Sequence, residues 1–560
     1  SMVAISLSKG GTESGDVSVY GVATGTAMHE VVPRVNGGTA GGDRVWQPDG
    51  KGFYYTRYPR GEERPVADSN FYMQVYFHAL GTPTENDRYE IGKDFPRIAE
   101  IELSMHAPTG RLLATVQDGD GGEFAHYMRD RKKRWKQLSE FGDGHVQIAF
   151  GPGTDLFVIS TKGAPRGQVL RMPANGSVAK AKLFVAETED TVVSSFWGSR
   201  SLVSSGGRIY VSYQLGGPSQ LRAFSNKGAV LEAPEQLPSS SAGSMVPLED
   251  GSLLFVNGSW TTPSAWFRFD PKSGNTEKTA LVEEAPIDLS QVKVERKFAT
   301  SKDGTKIPLN IMIPPGAKLD GSTPAVVTGY GGYGVSLTPR YRARTGLLLE
   351  QGIISVVVNI RGGGEYGEEW HLGGNLTNKQ NVFDDFAAAL QFLVDEKYTS
   401  SDKLIIQGGS NGGLLMGALL TQHPSLMKAV VSHVGIYDML RVELSPNGAF
   451  NITEFGTVTN ADHFQALHAY SPYHHVEEGK AYPSVFLLTG ANDPRVDPMQ
   501  SRKFAARLRA ASNGTSTVLL RTSFNTGHGG GTPLTERIAQ NTDVIAFVLS
   551  ELGQAFKAID

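Results

Sequence analysis

The sequence contains no cysteine. That excludes disulfides, thiolate metal sites, iron–sulfur clusters and cysteine nucleophiles, and it leaves the redox compartment open. An excess of charge is also missing: Lys and Arg total 53 against 57 Asp and Glu, a formal net charge of −4. Such a balance has no general electrostatic footprint for nucleic acid or an anionic membrane, so neither is expected as a partner. No apolar run approaches the roughly 18 residues of a membrane span. There is no H-E-x-x-H, and His474-His475 are adjacent, so their side chains diverge; no metal and no cofactor are expected. The basic run from Arg129 to Arg134 reads as a solvated loop. No signal peptide precedes Val3–Ser8, which already reads as a strand, and Ser1-Met2 reads as an artificial start. A soluble chain is expected, with cytoplasm, periplasm and exterior all left open.

What is present is a globular composition, 39% hydrophobic and 20% charged. Its 560 residues allow about two to four domains at roughly 100–200 residues each. Residues 1 to about 285 are strand-like throughout, with short apolar runs separated by Gly, Asp, Pro and Ser clusters. Turn-then-strand units recur, with apolar starts at Val3, Phe53, Leu112, Leu156, Ile209 and Leu253, 44 to 59 residues apart. Six units at that period predict a β-propeller rather than a pair of sandwiches. From residue 286 to 560 the pattern changes. Apolar strands at 325–328, 353–360, 404–407, 429–433, 484–489 and 517–521 alternate with amphipathic helices, including 384–396, 412–422, 499–511 and 534–552. That alternation predicts an α/β domain with a doubly wound, mostly parallel sheet.

The chemistry lies in this second half. Gly408-Gly409-Ser410-Asn411-Gly412 fits G-x-S-x-G between a strand and a helix. A sharp turn there lifts a serine hydroxyl clear of the sheet, and this is the expected nucleophile. In α/β-hydrolases an acid and then a histidine follow the serine. Beyond Tyr482 the only histidine is His528, between strand 517–521 and the last helix, and it is the expected base. Asp493 follows strand 484–489 directly and is the favoured acid. Asp497 is its competitor, with an N-cap as its plainer role. Gly329-Tyr-Gly331-Gly-Tyr-Gly334 imitates a dinucleotide fingerprint, but no helix opens behind it. It reads better as an oxyanion loop, with the Tyr330 hydroxyl and the Asn411 backbone N–H as donors.

Several runs together resemble the prolyl oligopeptidase family: Asn359-Ile-Arg-Gly-Gly-Gly-Glu-Tyr-Gly367, Asn378-Lys-Gln-Asn381 with Phe383-Asp-Asp385, Gly408 to Leu415, Tyr330-Gly-Gly332, Tyr470-Ser-Pro472 and Asp493-x-Arg495-Val496. The resemblance covers nearly the whole chain and implies a propeller joined to an α/β-hydrolase. It implies that Ser410, Asp493 and His528 form a triad, and that Arg495 binds a substrate carbonyl next to the scissile residue. It further implies that Tyr333, Ile436, Tyr470 and Val496 line the pocket for the residue before the cut.

Two departures stand out. Proline-specific members have a tryptophan four residues before the pocket tyrosine, where this chain has Ala466. The family has seven blades where six units are counted here, so the chain is expected to start near the second blade. An upstream segment or a second chain would then complete the propeller. The expected activity is that of a serine oligopeptidase cutting short peptides after proline, with alanine or small apolar residues also accepted. An acylaminoacyl-type exopeptidase or an esterase is the alternative, and a catalytically dead propeller scaffold is disfavoured by the intact triad.

Overall fold

A computed structural model describes residues 1–558 apart from residues 38, 40, 195–199, 513 and 515. The first half is a succession of antiparallel sheets. A three-stranded sheet (Met2–Ser8, Gly15–Gly21, Ala27–Asn36) precedes four-stranded sheets at 44–91, 99–139 and 145–185, a five-stranded one at 191–231 and a four-stranded one at 241–282. Each of the last five has a well-buried inner strand at the repeat start: Gly52–Arg57, Arg111–Asp118, Asp155–Ser160, Arg208–Gln214 and Leu253–Gly258. These strands are flanked on both edges and covered on both faces, which is why their apolar runs are almost unbroken. Val3 differs from the other repeat starts. It lies on an edge strand that pairs only with Gly15–Gly21 and stays largely exposed.

Neighbouring sheets share cores, as propeller blades must. Val17 and Val19 pack with Phe53 and Tyr55, Tyr54 and Val75 with Ile101 and Leu112, and Leu113 and Met128 with Leu156 and Val158. Phe157 and Val169 then meet Ile209 and Val211, and Tyr210 and Leu221 meet Leu253 and Phe255.

The second half is one eight-stranded sheet. Its strands are β1 (Lys293–Thr300), β2 (Lys306–Ile313), β3 (Ala325–Thr328), β4 (Ile354–Val358), β5 (Leu404–Gly409), β6 (Ala429–His433), β7 (Ser484–Gly490) and β8 (Val518–Ser523), in the order β1-β2-β4-β3-β5-β6-β7-β8. The β1–β2 and β2–β4 pairs are antiparallel and the rest parallel. The antiparallel pair β1–β2 was not anticipated. β1 is an exposed edge strand with the sequence KVERKFAT and lacks the apolar run that marks the central strands. β2, KIPLNIMI, is instead buried from Ile307 to Ile313 and is a strand missing from the expected set despite its apolar run.

Helices α1 (Ala343–Glu350), α2 (Gln380–Asp395), α3 (Asn411–Gln422), α4 (Ala461–Tyr470), α5 (Met499–Ala511) and α6 (Leu534–Glu551) cover the sheet. Successive strand residues point to opposite faces. Val327, Ile406 and Leu487 therefore meet α2, α3 and α5, whereas Val326, Ile405 and Phe486 meet α1 and α6. Among the described residues no helix is long and apolar enough to cross a membrane.

The two halves interlock. Phe450, from the segment after β6, is buried within the propeller core beside Tyr58, Met73 and Ile101, and its ring stacks on Phe71 at 5.2 Å.

Candidate active site

β5 ends at the serine. Ser410 has φ 60° and ψ −123°, backbone that costs a non-glycine residue on the order of 1–3 kcal/mol. Its surroundings hold it there. The Ser410 N–H donates to His433 O at 2.9 Å, and the Gly413 N–H donates to Ser410 O at 2.8 Å. Glycine is required on either side: a Cβ on Gly408 would sit 2.4 Å from Gly412 O, and one on Gly413 2.5 Å from the Gly435 Cα.

The loops after β7 and β8 bring Asp493 and His528 together. His528 Nδ1 lies 2.8 Å from Asp493 Oδ2, and the carboxylate side chain is fully buried. The other oxygen, Oδ1, accepts the N–H groups of Arg495 at 2.9 Å and Val496 at 3.0 Å. A carboxylate held in this way accepts from Nδ1–H and leaves the Nε2 lone pair as the basic site. Asp497 instead accepts the Met499 N–H at the start of α5 (2.8 Å).

The loop after β3 forms the opposite wall. The Tyr330 hydroxyl is in hydrogen-bond contact with Ser410, and burial pushes its phenol up to about 12, so it remains a proton donor. Asn411 Nδ2 donates to Tyr330 O at 2.6 Å, tying this loop to the serine turn. Lys379 Nζ donates to Gly331 O at 2.9 Å from beneath. Lys379 is paired with Glu454 at 2.8 Å, and Glu454 with His371 at 2.8 Å, all three buried. Burial alone would raise Glu454, but Lys379 and His371 outweigh it and hold the carboxyl below the usual range. Burial opposes charge on His371 as well, yet Glu454 outweighs it and raises the imidazole.

A cavity of 630 Å³ opens above Ser410, between the two halves of the molecule. Tyr330, Tyr333, Ile436, Arg495 and Val496 line it from the hydrolase, and Gln117, Asp120, Phe124 and Gln214 line it from the propeller. The Tyr333 hydroxyl donates to Asn451 Oδ1 at 2.7 Å, and its ring meets Phe455 edge-on at 5.7 Å. Tyr470 and Ala466 are not on the cavity wall, which differs from the expected pocket. Tyr470 ends α4 with its ring packed 5.3 Å from Phe383 of α2, inside the core, and Ala466 is half-buried one turn earlier.

Propeller residues complete the site. The turn between the first two strands places Gly10 O 2.8 Å from Asn492 Nδ2, and Glu13 Oε2 2.6 Å from Arg495 Nε. Glu13, Asp120, Asn451 and Glu454 carry no local motif. Their placement comes from contacts across hundreds of residues, which spacing along the chain does not report.

A model of the prolyl oligopeptidase family matches residues 339–555, and a model of the prolyl oligopeptidase N-terminal β-propeller domain matches residues 1–281. The chain is 31% identical over 560 residues to a prolyl endopeptidase of Elizabethkingia meningoseptica, covering 99% of this chain and 77% of that one. A solved structure from a structural and mechanistic analysis of two prolyl endopeptidases superposes with a TM-score of 0.91 at 33% identity, covering 99% of this chain and 80% of that one. Prolyl oligopeptidase B from Galerina marginata, bound to a 35-residue hydrolysis and macrocyclization substrate, superposes with a TM-score of 0.89 at 25% identity, covering 100% and 79%.

Proposed function

Because the chain belongs to the prolyl oligopeptidase family of serine peptidases, we propose that it hydrolyses short peptides on the carboxyl side of proline, with Ser410 as nucleophile, His528 as general base and Asp493 as its orienter. The observation that carries this reading is the 2.8 Å His528–Asp493 contact, together with a strained Ser410 on the wall of a cavity.

In this mechanism Ser410 Oγ attacks the scissile carbonyl carbon while His528 Nε2 takes its proton. The oxyanion that forms receives hydrogen bonds from the Tyr330 hydroxyl and the Asn411 N–H. Collapse of the tetrahedral species breaks the C–N bond, and His528 returns the proton to the leaving amine. Water repeats the sequence on the acyl-serine and releases the carboxylic acid. Arg495 donates to the carbonyl preceding the scissile residue, exchanging part of its pairing with Glu13 for the substrate. Tyr333, Ile436 and Val496 offer an apolar wall with no carboxylate for a basic side chain, which suits proline. The propeller, residues 1–285, filters access to the catalytic part, residues 286–560, so short peptides enter and folded proteins do not.

Ala466 lies off the cavity wall, so the apolar surface offered to a proline ring is that of Tyr333, Ile436 and Val496, without a stacked indole. A matched pair of peptides, proline against alanine at the cut, measures the consequence. An indole face would contribute about 1–2 kcal/mol, or roughly ten- to thirty-fold in kcat/KM, to proline preference. Without it alanine is expected to be accepted with a small penalty, and a proline advantage above roughly a thousand-fold would contradict that. Equal rates would remove the proline specificity, and cleavage of neither peptide would remove the reading.

A further inference from the structure

We propose that the Asp120 carboxylate is a specificity-determining group that selects peptides carrying a cation one or two residues upstream of the residue held in the pocket. The inference rests on the peptidase reading above. Asp120 sits in the turn between Arg111–Asp118 and Phe124–Arg129, on the propeller side of the cavity that also holds Ser410 and Arg495. A peptide whose carbonyl meets Arg495 must run its preceding residues toward this wall.

The hydrolase grips the backbone that carries this carboxylate. The Asp120 N–H donates to Phe450 O at 3.0 Å, and the Thr453 hydroxyl donates to Asp120 O at 2.5 Å. The neighbouring Gly121 has φ 74°, a conformation that favours glycine, and lies against Glu454 and Tyr333 of the hydrolase. The group is thus preorganised on a rigid contact, as a selective one must be.

The charge balance around the cavity leaves this group over. Arg495 has Glu13, His528 has Asp493, and Lys379 and His371 share Glu454. Among the ion pairs of the described residues none involves Asp120. Its hydrogen-bonding neighbour is another carboxyl, Glu100. A charged Asp120 facing the cavity is complementary to an ammonium or guanidinium, whether a Lys or Arg side chain or a free N-terminal amine.

The selection also has a pH signature. Burial raises Asp120 to about 6, with Glu100 and Arg495 opposing that rise, Glu454 adding to it and His528 opposing it. At pH 5 the group is mostly protonated and at pH 7.5 mostly charged, so preference for a cation grows between the two. His528 belongs to the catalytic machinery for every substrate, so a ratio of two substrates cancels its titration.

The experiment is kcat/KM for proline peptides with Lys, norleucine or Glu at each of the two positions preceding proline, measured at pH 5 and 7.5. In the parent chain Lys should exceed norleucine on the order of ten-fold at pH 7.5 at one of these positions, with the ratio shrinking several-fold at pH 5 and Glu disfavoured. The Lys-to-norleucine ratio should approach one in Asp120→Asn, fall below one in Asp120→Lys, and stay above one in Asp120→Glu. A parent ratio of one at both positions, or an unchanged ratio in Asp120→Asn, overturns the proposal. Failure of the parent to cleave any of the three peptides overturns the peptidase reading instead.

Discussion

Ser410, His528 and Asp493 come from three separate loops, and their chemistry depends on their acting as a unit. In the proposed mechanism the serine is activated through the imidazole, and the imidazole is oriented by a carboxylate already committed to three hydrogen bonds. Replacing Ser410 or His528 by alanine is therefore expected to lower kcat by roughly a million-fold each, with the double variant little worse. Steady-state cleavage of a proline peptide checks this. A His528→Ala chain keeping more than a few per cent of parental turnover would remove the histidine from the role of base. The proposed triad can be picked out of the sequence because each member sits at a strand end: Ser410 in a glycine-flanked turn, Asp493 just past an apolar run, and His528 alone in the last stretch. Tyr470 was less readable. Its helix directs the ring onto Phe383 in the core, and helical spacing alone does not tell which buried face opens onto a cavity.

Two small elements hold the catalytic loops. The first is the turn between Met2–Ser8 and Gly15–Gly21, which lies against the histidine loop. Gly11 has φ 77°, and a Cβ there would be 2.1 Å from Gly527 N, the residue before His528. Gly11→Ala should displace that loop and lower kcat by about a hundred-fold, the scale of a 1 Å misplacement of catalytic groups. Unchanged kcat would show that the turn does not position His528. The second is the short helical turn Ile452–Phe455, which carries Glu454 beneath Lys379 and the oxyanion loop. Glu454→Gln leaves the Lys379 ammonium buried without its counter-charge and should cost about 3–5 kcal/mol of stability, measured by urea unfolding. The pH dependence follows from the directions of the two shifts. His371 is raised on folding, so its share is complete below the unfolded value of about 6.5 and is lost as pH rises through the higher folded value. Glu454 is lowered, so its share is present above the unfolded value of about 4.3 and is lost as pH falls through the lower folded value. Stability from this pair is thus greatest between those limits, and the Glu454→Gln chain should lack that plateau. Neither element was legible in advance. The Glu13–Arg495 pair joins residues 482 positions apart, and Glu454 lies in an unremarked stretch whose charge matters only once Lys379 is placed over it.

At the scale of the molecule, propeller and hydrolase form a single enclosure around the serine. The propeller was legible from the recurrence of its inner strands, because burial on both faces enforces an apolar run after every turn. The phase of the first repeat was not, since Val3 lies on an edge strand with one pairing partner. The parallel core of the hydrolase was legible for the same reason as the propeller strands, and the polar edge strand β1 was not. What periodicity could not supply was the seam. Phe450 stacks into the propeller core, and Glu13 and Asp120 reach the catalytic side from the other half. A cavity of 630 Å³ lies within that seam, a size that suits a few residues of extended peptide. Everything about this enclosure presumes that Ser410 is the residue that becomes acylated. Labelling the intact chain with a fluorophosphonate and locating the adduct by tandem mass spectrometry tests that directly. The expected result is stoichiometric modification of Ser410 alone, blocked by a saturating proline peptide and abolished in His528→Ala. An adduct on a different serine, or modification of Ser410 at the same rate without His528, would contradict it.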